Sequence, residues 1–189
     1  MRNVLIIQAN YQFAPNMGGE LNKIVVKKME EILKDKGYNV TINDITKGYD
    51  PKEEVKKISN NDYIIFQYPI WWFNTPWELK KWVDIVFMNA QGILWENDGR
   101  TSSNPNKKYG SGGLTNKKYM LSTTWNAPKE AFSPDQFLIN EDYILSNMHK
   151  ACQFLGMTKI DSFMCNDVVK NPNMDYYLKS LQEHLDKLF

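Results

Sequence analysis

The sequence contains little of what marks several broad classes of protein. Its 189 residues include two cysteines and two histidines, and the formal net charge is +1. Cys152 and Cys165 form neither a CxxC pair nor a spacing typical of metal ligands, so we expect buried, reduced thiols and no metal site. A nearly neutral chain argues against a dedicated nucleic-acid-binding protein, which usually carries a basic patch.

Long apolar runs and targeting signals are also missing. No apolar stretch reaches the length of a membrane-spanning helix. The chain enters a β-rich run at residues 4–7 without the cleavage pattern of a signal peptide. We therefore expect a cytoplasmic protein without membrane insertion. The apolar content of 42% is enough for one globular domain over residues 1–189.

Apolar β-rich runs alternate with amphipathic segments along the whole chain. The predicted strands cover 3–9, 38–42, 62–68, 117–124 and 158–165, and the predicted helices cover 20–36, 50–60, 78–89, 140–155 and 172–188. Strict alternation predicts an α/β fold, with a doubly wound five-stranded parallel sheet and helices on both faces. Ligands of such sheets bind beyond the carboxyl ends of the strands.

Two adjacent tryptophans follow the third strand. We call residues 69–75 the tryptophan turn. Trp71 and Trp72 cannot both face inward from a tight turn, so we expect one of them to touch a planar ligand by stacking. Thr75 is the predicted N-cap of the next helix, with Pro76 at its first position and Glu78 completing a capping box. Trp77 falls within the helix and is expected to pack.

Two further loops leave strands at the same predicted edge. The loop at residues 10–19 contains Gly18-Gly19 and precedes a helix, whose first N–H groups can hold a phosphate. It matches no phosphate-binding motif, and a plain turn explains it equally well. The turn at residues 124–128 offers an aromatic face and backbone donors. A phosphate site beside flat surfaces suggests a flavin nucleotide.

A long irregular stretch runs from residue 91 to residue 116. Loops of this length inside a compact domain are usually functional or disordered. Because the stretch contains residues able to pack, such as Trp95 and Tyr109, we expect an ordered excursion. It would lie either over the site or at a subunit interface.

Several segments together resemble one family. They are Trp71–Trp72, Pro76–Trp77, Lys80–Lys81, Asp98–Thr101, Lys107–Leu114, Lys118–Ser122, Thr124–Pro128, Phe154–Met157 and Asn166–Val168. On these residues the chain resembles, over nearly its whole length, the flavodoxin-like NAD(P)H:quinone reductases. The resemblance implies a flavodoxin-like fold and an FAD-dependent homodimer. It also implies two-electron, ping-pong hydride transfer from NADPH to quinones.

The resemblance also implies a set of cofactor-binding residues. The pyrophosphate would be held by Met17, Gly18, Gly19, Glu20 and Leu21. The isoalloxazine would be held, largely through the backbone, by Pro69, Ile70, Trp71, Trp72 and Phe73. Beside it would lie Thr124, Trp125, Asn126 and Ala127. Tyr109 would contact FAD, with the dimer completing each site, and is the candidate catalytic proton donor.

The loop at residues 15–20 and the residue His149 each need a separate interpretation. Residues 15–20 carry an extra residue and an acid relative to the family pattern, so the Glu20 carboxylate should point away from a pyrophosphate and favour the helix start. His149 is a second candidate proton donor, but its place near the core stripe of a helix favours a structural role.

Other functions remain open from sequence alone. One is an FMN-dependent azo- or nitroreductase on the same fold, and another is a non-catalytic flavodoxin-type electron carrier. The nearly neutral charge and a 10–19 loop without Ser or Thr disfavour the carrier. A non-enzymatic regulatory or assembly module that has lost its cofactor is the third alternative. The altered 15–20 loop is its only hint, and fold alone does not exclude it.

Overall fold

One parallel sheet forms the centre of the molecule in the computed structural model, which describes residues 2–10 and 19–189. Its strands are β1 (Asn3–Gln8), β2 (Asn39–Asp44), β3 (Tyr63–Pro69), β4 (Lys118–Thr124), β5 (Thr158–Lys159) and β6 (Phe163–Cys165). They are ordered β2-β1-β3-β4-β5, with β6 also pairing with β4. This doubly wound order confirms the predicted flavodoxin-like α/β fold, and it reverses direction between β1 and β3.

Helices cover both faces of the sheet. They are α1 (Glu20–Asp35), α2 (Pro51–Ser59), α3 (Trp77–Met88), α4 (Glu141–Ile144), α5 (Ser146–Phe154) and α6 (Met174–Leu188). Alternate strand residues point to opposite faces, so Leu5 and Ile7 join a core with α2, α3 and α5, whereas Val4 and Ile6 join a core with α1 and α6. None of the helices in the described ranges is long and apolar enough to cross a membrane.

The predicted fifth strand is two strands separated by a bulge. Thr158 and Lys159 pair with the start of β4, and Phe163 to Cys165 pair with its end. Between these pairs, residues 120–121 of β4 face residues 160–162, so one strand carries an extra residue. The single strand predicted over 158–165 is therefore wrong. A sixth short strand results.

The predicted helix over 140–155 is also two helices. Leu145 separates α4 from α5. Its ψ of 3° lies outside the α-helical range. Its amide still donates to the carbonyl of Glu141 at 2.8 Å, and its carbonyl accepts from the amide of His149 at 3.1 Å. The two helices are therefore linked by hydrogen bonds across a single non-helical residue.

The predicted capping box at the start of α3 does not form. Pro76 has a ψ of 145° and occupies the cap position without a side-chain hydrogen bond, so the helix begins at Trp77. Trp77 was expected to pack, but its side chain is 56% exposed and lies outside the core. Glu78 has both carboxylate oxygens buried without a hydrogen-bond partner among the described residues. Burial raises the pKa of Glu78.

The stretch from residue 91 to residue 116 lies at the amino end of the sheet. Leu114 donates its amide to the carbonyl of Leu94 at 2.9 Å, and Thr115 donates to the carbonyl of Leu155 at 3.2 Å, just before β5. The stretch is ordered, as predicted. Within one chain it does not cover the carboxyl ends of the strands.

Candidate functional site

The carboxyl ends of β1, β3 and β4 meet at one edge of the sheet. Gln8, Gln67 and Ser122 are opposite one another in the parallel register, and Pro69 and Thr124 end their strands side by side. The tryptophan turn leaves β3 there, and α1 begins close by. The sequence prediction that these segments converge is confirmed for the described residues.

The tryptophan turn has an unusual backbone. Trp71 and Asn74 exchange two backbone hydrogen bonds, of 3.0 and 3.1 Å. The two residues between them, Trp72 and Phe73, have φ values of 48° and 62°. A left-handed conformation suits glycine, and a bulky side chain adopts it at a cost of about 1–3 kcal/mol. Strain of this kind is concentrated at functional sites, because surrounding structure must hold it in place.

The aromatic side chains of the turn are presented to solvent. Trp72 is 93% exposed, and Ile70 is anchored through its amide to the carbonyl of Thr124 at 2.9 Å. Phe73 packs edge-on against Phe137 with ring centroids 5.4 Å apart. The turn therefore presents a flat indole surface beside a small aromatic wall.

Asn74 fastens the turn to neighbouring elements. Its side-chain oxygen accepts from the amide of Thr75 at 2.8 Å and from the side-chain amide of Asn147, at the start of α5, at 2.5 Å. The second contact joins segments that are far apart in sequence, and no local pattern predicted it.

A buried polar chain lies directly beneath the site. Ser122 donates to the side-chain oxygen of Gln67 at 2.6 Å. Gln67 donates to Asn22 at 2.6 Å, and Asn22 donates to the hydroxyl of Thr124 at 3.2 Å. All four side chains are buried, so this chain ties α1 to β3 and β4. Sequence reasoning missed Gln67 and Asn22, although a glutamine inside an apolar strand was the available signal.

The turn after β4 presents its backbone more than its side chains. The ring of Trp125 is buried, donates to the Thr123 hydroxyl at 2.7 Å and packs edge-on against Phe132. The prediction that this turn offers an aromatic face is therefore wrong for Trp125. Thr124 is buried as well, whereas Asn126 is exposed.

The start of α1 has the features of an anion-binding site. Gly19 has a φ of 58°, and a Cβ there would lie 1.5 Å from the side-chain oxygen of Asn10. Asn10 is buried, yet neither polar atom of its side chain has a hydrogen-bond partner in the described part of the chain. A buried amide without a partner costs about 1–3 kcal/mol. A polar ligand at the α1 start would remove that cost, and the N–H groups of the first helical turn suit a phosphate.

Glu20 does not crowd this position. Its carboxylate is exposed and pairs with Lys23 at 2.7 Å. Leu21 packs against the core between the sheet and α1. The predicted site residues Met17 and Gly18 lie outside the described residues.

Tyr109 lies beside the end of α5 that is remote from the tryptophan turn. Its ring packs against Phe154, the last residue of α5, at 5.8 Å. The guanidinium of Arg100 lies 5.3 Å from its centroid. Asn147, which contacts the turn, is separated from Phe154 by about 10 Å of helix. One chain therefore does not bring Tyr109 to the tryptophan turn.

His149 occupies the core side of α5. Its Nδ1 lies 2.9 Å from the hydroxyl of Tyr119, and its Nε2 lies 3.1 Å from Asp142. Burial lowers the pKa of His149, which favours the neutral ring. A neutral imidazole that accepts from Tyr119 and donates to Asp142 uses both nitrogens, consistent with the structural role favoured by the sequence.

The cysteines and acids show no metal chemistry within the described ranges. Cys152 and Cys165 are buried free thiols, and burial raises the pKa of each. No group of three or more potential ligands is arranged to hold a metal ion among residues 2–10 and 19–189.

Comparisons with known proteins agree with this architecture. A family model described as a flavodoxin-like fold matches residues 2–188. The chain is 43% identical over 191 aligned residues to NADPH:quinone oxidoreductase MdaB of Haemophilus influenzae, and the alignment covers 99% of each chain.

Solved structures share the fold at lower identity. A Klebsiella pneumoniae protein described as a candidate quinone reductase superposes with a TM-score of 0.79 at 22% identity, covering 100% of this chain and 85% of the other. General stress protein 14 of Treponema denticola, solved in complex with FMN, gives 0.70 at 20% identity, covering 98% and 97%. At these identities the likeness concerns the fold alone.

Proposed function

The chain belongs to the flavodoxin-like fold family, and from this membership we propose that it is a flavin-dependent NAD(P)H:quinone oxidoreductase. Similarity to the Haemophilus influenzae oxidoreductase over the full length of both chains supports the reaction class. The tryptophan turn is the observation that best supports the position of the site. Its strained backbone and exposed indole lie at the carboxyl edge of the sheet, where this fold binds nucleotides.

The described residues fit a flavin nucleotide at two places. At the start of α1, Gly19, Glu20 and Leu21 would bind its phosphates through backbone N–H groups, with Asn10 supplying the buried amide. At the other place, residues 69–73 would hold the ring system, and residues 124–127 would lie beside it. We propose FAD as the flavin. Met17 and Gly18 belong to the same proposed phosphate loop.

Bound flavin would accept hydride from NAD(P)H and deliver two electrons to the quinone, in a ping-pong sequence. The residues of the chain itself would orient the substrate against the flavin and stabilise charge at the ring. Trp72 offers a face against which a planar substrate can stack, and the Phe73–Phe137 pair lies beside it. Backbone N–H groups of the 124–127 turn would stabilise negative charge at the ring edge. Quinone reduction also consumes one proton beyond the hydride.

Tyr109 is the proposed source of that proton and can reach the site only from a second copy. It lies against Phe154, at the end of α5 remote from the tryptophan turn, and it is exposed. A homodimer that brings the 91–116 stretch of one chain to the tryptophan turn of the other would complete each site. We also propose a cytoplasmic location, in keeping with two free, buried thiols.

The decisive experiment identifies the flavin and tests turnover together. The chromophore released from the purified protein is identified by chromatography, and NADPH oxidation is followed with a water-soluble quinone and no partner protein. We expect FAD and parallel double-reciprocal plots when both substrates are varied. Released FMN would favour the azo- or nitroreductase alternative. A flavoprotein without turnover would favour the electron carrier, and a protein that takes up neither flavin would overturn the proposal.

A further inference from the structure

A cleft of about 500 Å³ adjoins the tryptophan turn. Asn74, which belongs to the turn, and Asn147 of α5 form one end, and the wall runs along α3 through Trp77, Lys80, Lys81 and Asp84. Ligand pockets for small molecules usually measure about 300–1,000 Å³. The cleft is therefore large enough for a nucleoside phosphate, and only its Asn74–Asn147 end is shared with the site described above.

The charges along the cleft favour an anion. Lys80 is engaged in an ion pair with Asp84 one turn further along the helix. Lys81 has no hydrogen-bond or ion-pair partner among the residues that the structure describes. Because Asp84 is already neutralised by Lys80, the wall carries one uncompensated positive charge. A lysine ammonium binds phosphate as a point charge.

The cleft also extends away from the tryptophan turn along α3. Its wall extends from Asn74 to Ile85, and the helical part from Trp77 onward spans about 12 Å at 1.5 Å per residue. If a nicotinamide lies over the tryptophan turn, the rest of the dinucleotide must leave that turn along a groove. This cleft begins at the turn itself, since Asn74 belongs to both.

We propose that the cleft holds the adenosine end of the dinucleotide, with Lys81 contacting the 2′-phosphate that distinguishes NADPH from NADH. The inference rests on the proposed function and deepens it. Lys81 is then a specificity residue for the nicotinamide coenzyme. Asp84 weakens binding of the 2′-phosphate indirectly, because its ion pair with Lys80 keeps that second lysine from the phosphate. Trp77, half-exposed in the cleft wall, offers a face to the adenine.

The test measures binding directly on the purified holoprotein. Calorimetric titration with 2′-phospho-ADP-ribose and with ADP-ribose gives a ratio of affinities that depends on the 2′-phosphate. We expect Lys81→Gln to reduce this ratio about threefold to tenfold, by loss of a charge-assisted contact. Asp84→Asn should raise the ratio about twofold to threefold, because it frees Lys80. Lys27→Gln, an exposed lysine on the opposite face of the sheet, should leave it unchanged.

Steady-state kinetics separates this inference from the proposed function. We expect Lys81→Gln to raise KM for NADPH without changing KM for NADH, kcat or flavin content. An unchanged affinity ratio in both Lys81→Gln and Asp84→Asn overturns the inference, whether or not the wild-type protein turns over quinone. Wild-type protein that oxidises neither coenzyme overturns the proposed function instead. The calorimetric ratio still decides the role of Lys81 in that case.

Discussion

Asn147 donates its side-chain amide to the side-chain oxygen of Asn74 at 2.5 Å, and this contact joins the start of α5 to the tryptophan turn. Asn74 also exchanges two backbone hydrogen bonds with Trp71 across the turn. Two residues in the left-handed region lie between these partners. The Asn74–Asn147 contact therefore helps to hold a backbone conformation that the local sequence does not favour.

Asn147→Ala should weaken binding of the proposed flavin. Loss of one hydrogen bond of about 1 kcal/mol allows the turn to relax, which predicts a roughly fivefold rise in the flavin Kd. Asn74→Ala should have a larger effect, because it also removes the contact to the Thr75 amide. Ser146→Ala, at the neighbouring exposed position, is the control. Titration of flavin-free protein measures the effect, and wild-type affinity in both asparagine variants would contradict the role assigned to the contact.

Trp72→Asn should stabilise the flavin-free protein while impairing the site. Asparagine tolerates a φ of 48° far better than tryptophan, and the exposed indole contributes little packing. Relief of strain therefore exceeds the lost contacts, with an expected gain on the order of 1 kcal/mol in the free energy of unfolding. Quinone turnover should fall about twofold to tenfold, because a stacking surface worth about 0.5–1.5 kcal/mol is gone.

Urea denaturation without flavin measures the stability effect, since bound ligand would add its own contribution. Trp72→Val is the matched control. A β-branched side chain is strained at positive φ, so this variant should be less stable than Trp72→Asn by about 1–2 kcal/mol. Equal stability of the two variants would show that the turn relaxes without cost.

The sheet was predictable because its signals are local. Runs such as residues 3–8 and 63–69 are apolar and β-rich, and periodic helices separate them. The bulge at residues 160–162 was not predictable, because it depends on how two strands align rather than on either sequence alone. The start of α3 was misjudged because Pro76 can occupy either the cap or the first helical position. Its observed ψ of 145° is not helical, so Pro76 is the cap residue.

The candidate site was only partly predictable for a related reason. Loops that follow strands converge in any doubly wound sheet, so the meeting of β1, β3 and β4 ends followed from element order. Contacts between distant side chains, such as Gln67 with Asn22, carry no local signal. The position of Tyr109 could have been inferred: residues 91–116 follow a helix and precede a strand, which places them at the amino edge.

Gly19→Ala should reduce flavin affinity at least tenfold. A Cβ would lie 1.5 Å from the Asn10 side-chain oxygen, so Asn10 must move and the backbone at a φ of 58° becomes strained. Gly37→Ala is a matched control, because Gly37 has a φ of 82° but nothing within 4 Å of an added Cβ. It should cost about 1 kcal/mol of stability without changing flavin affinity. If Gly19→Ala and Gly37→Ala lost flavin affinity equally, backbone strain alone would explain the loss, and the contact between residue 19 and Asn10 would not control binding.

His149 should make the protein less stable in mild acid. Burial lowers its folded-state pKa below the ordinary value of 6.5, while the unfolded chain keeps that ordinary value. The unfolded state therefore binds the proton more readily. The contribution of the neutral ring is complete above about pH 6.5 and is lost as the pH falls from there towards the folded pKa.

The groups that face the ring are Tyr119 on β4, Asp142 on α4 and Lys159 on β5. Burial would raise the pKa of Asp142, but hydrogen bonds to Lys159 and His149 lower it overall. Asp142 therefore adds to acid sensitivity only below its ordinary value of 3.8. The ordinary pKa of an imidazole, 6.5, lies between pH 7.5 and 5, so this range tests the contribution of His149.

Replacement of His149 by glutamine should flatten the decline of unfolding free energy between pH 7.5 and 5, measured by urea denaturation at several pH values. His184→Gln is the informative comparison. Burial also lowers the pKa of His184, so this variant should remove a separate part of the slope, and the two effects should add because the histidines lie in different contacts. A His149→Gln variant with the full wild-type slope would show that the Tyr119–His149–Asp142 contacts accept a proton without loss of stability.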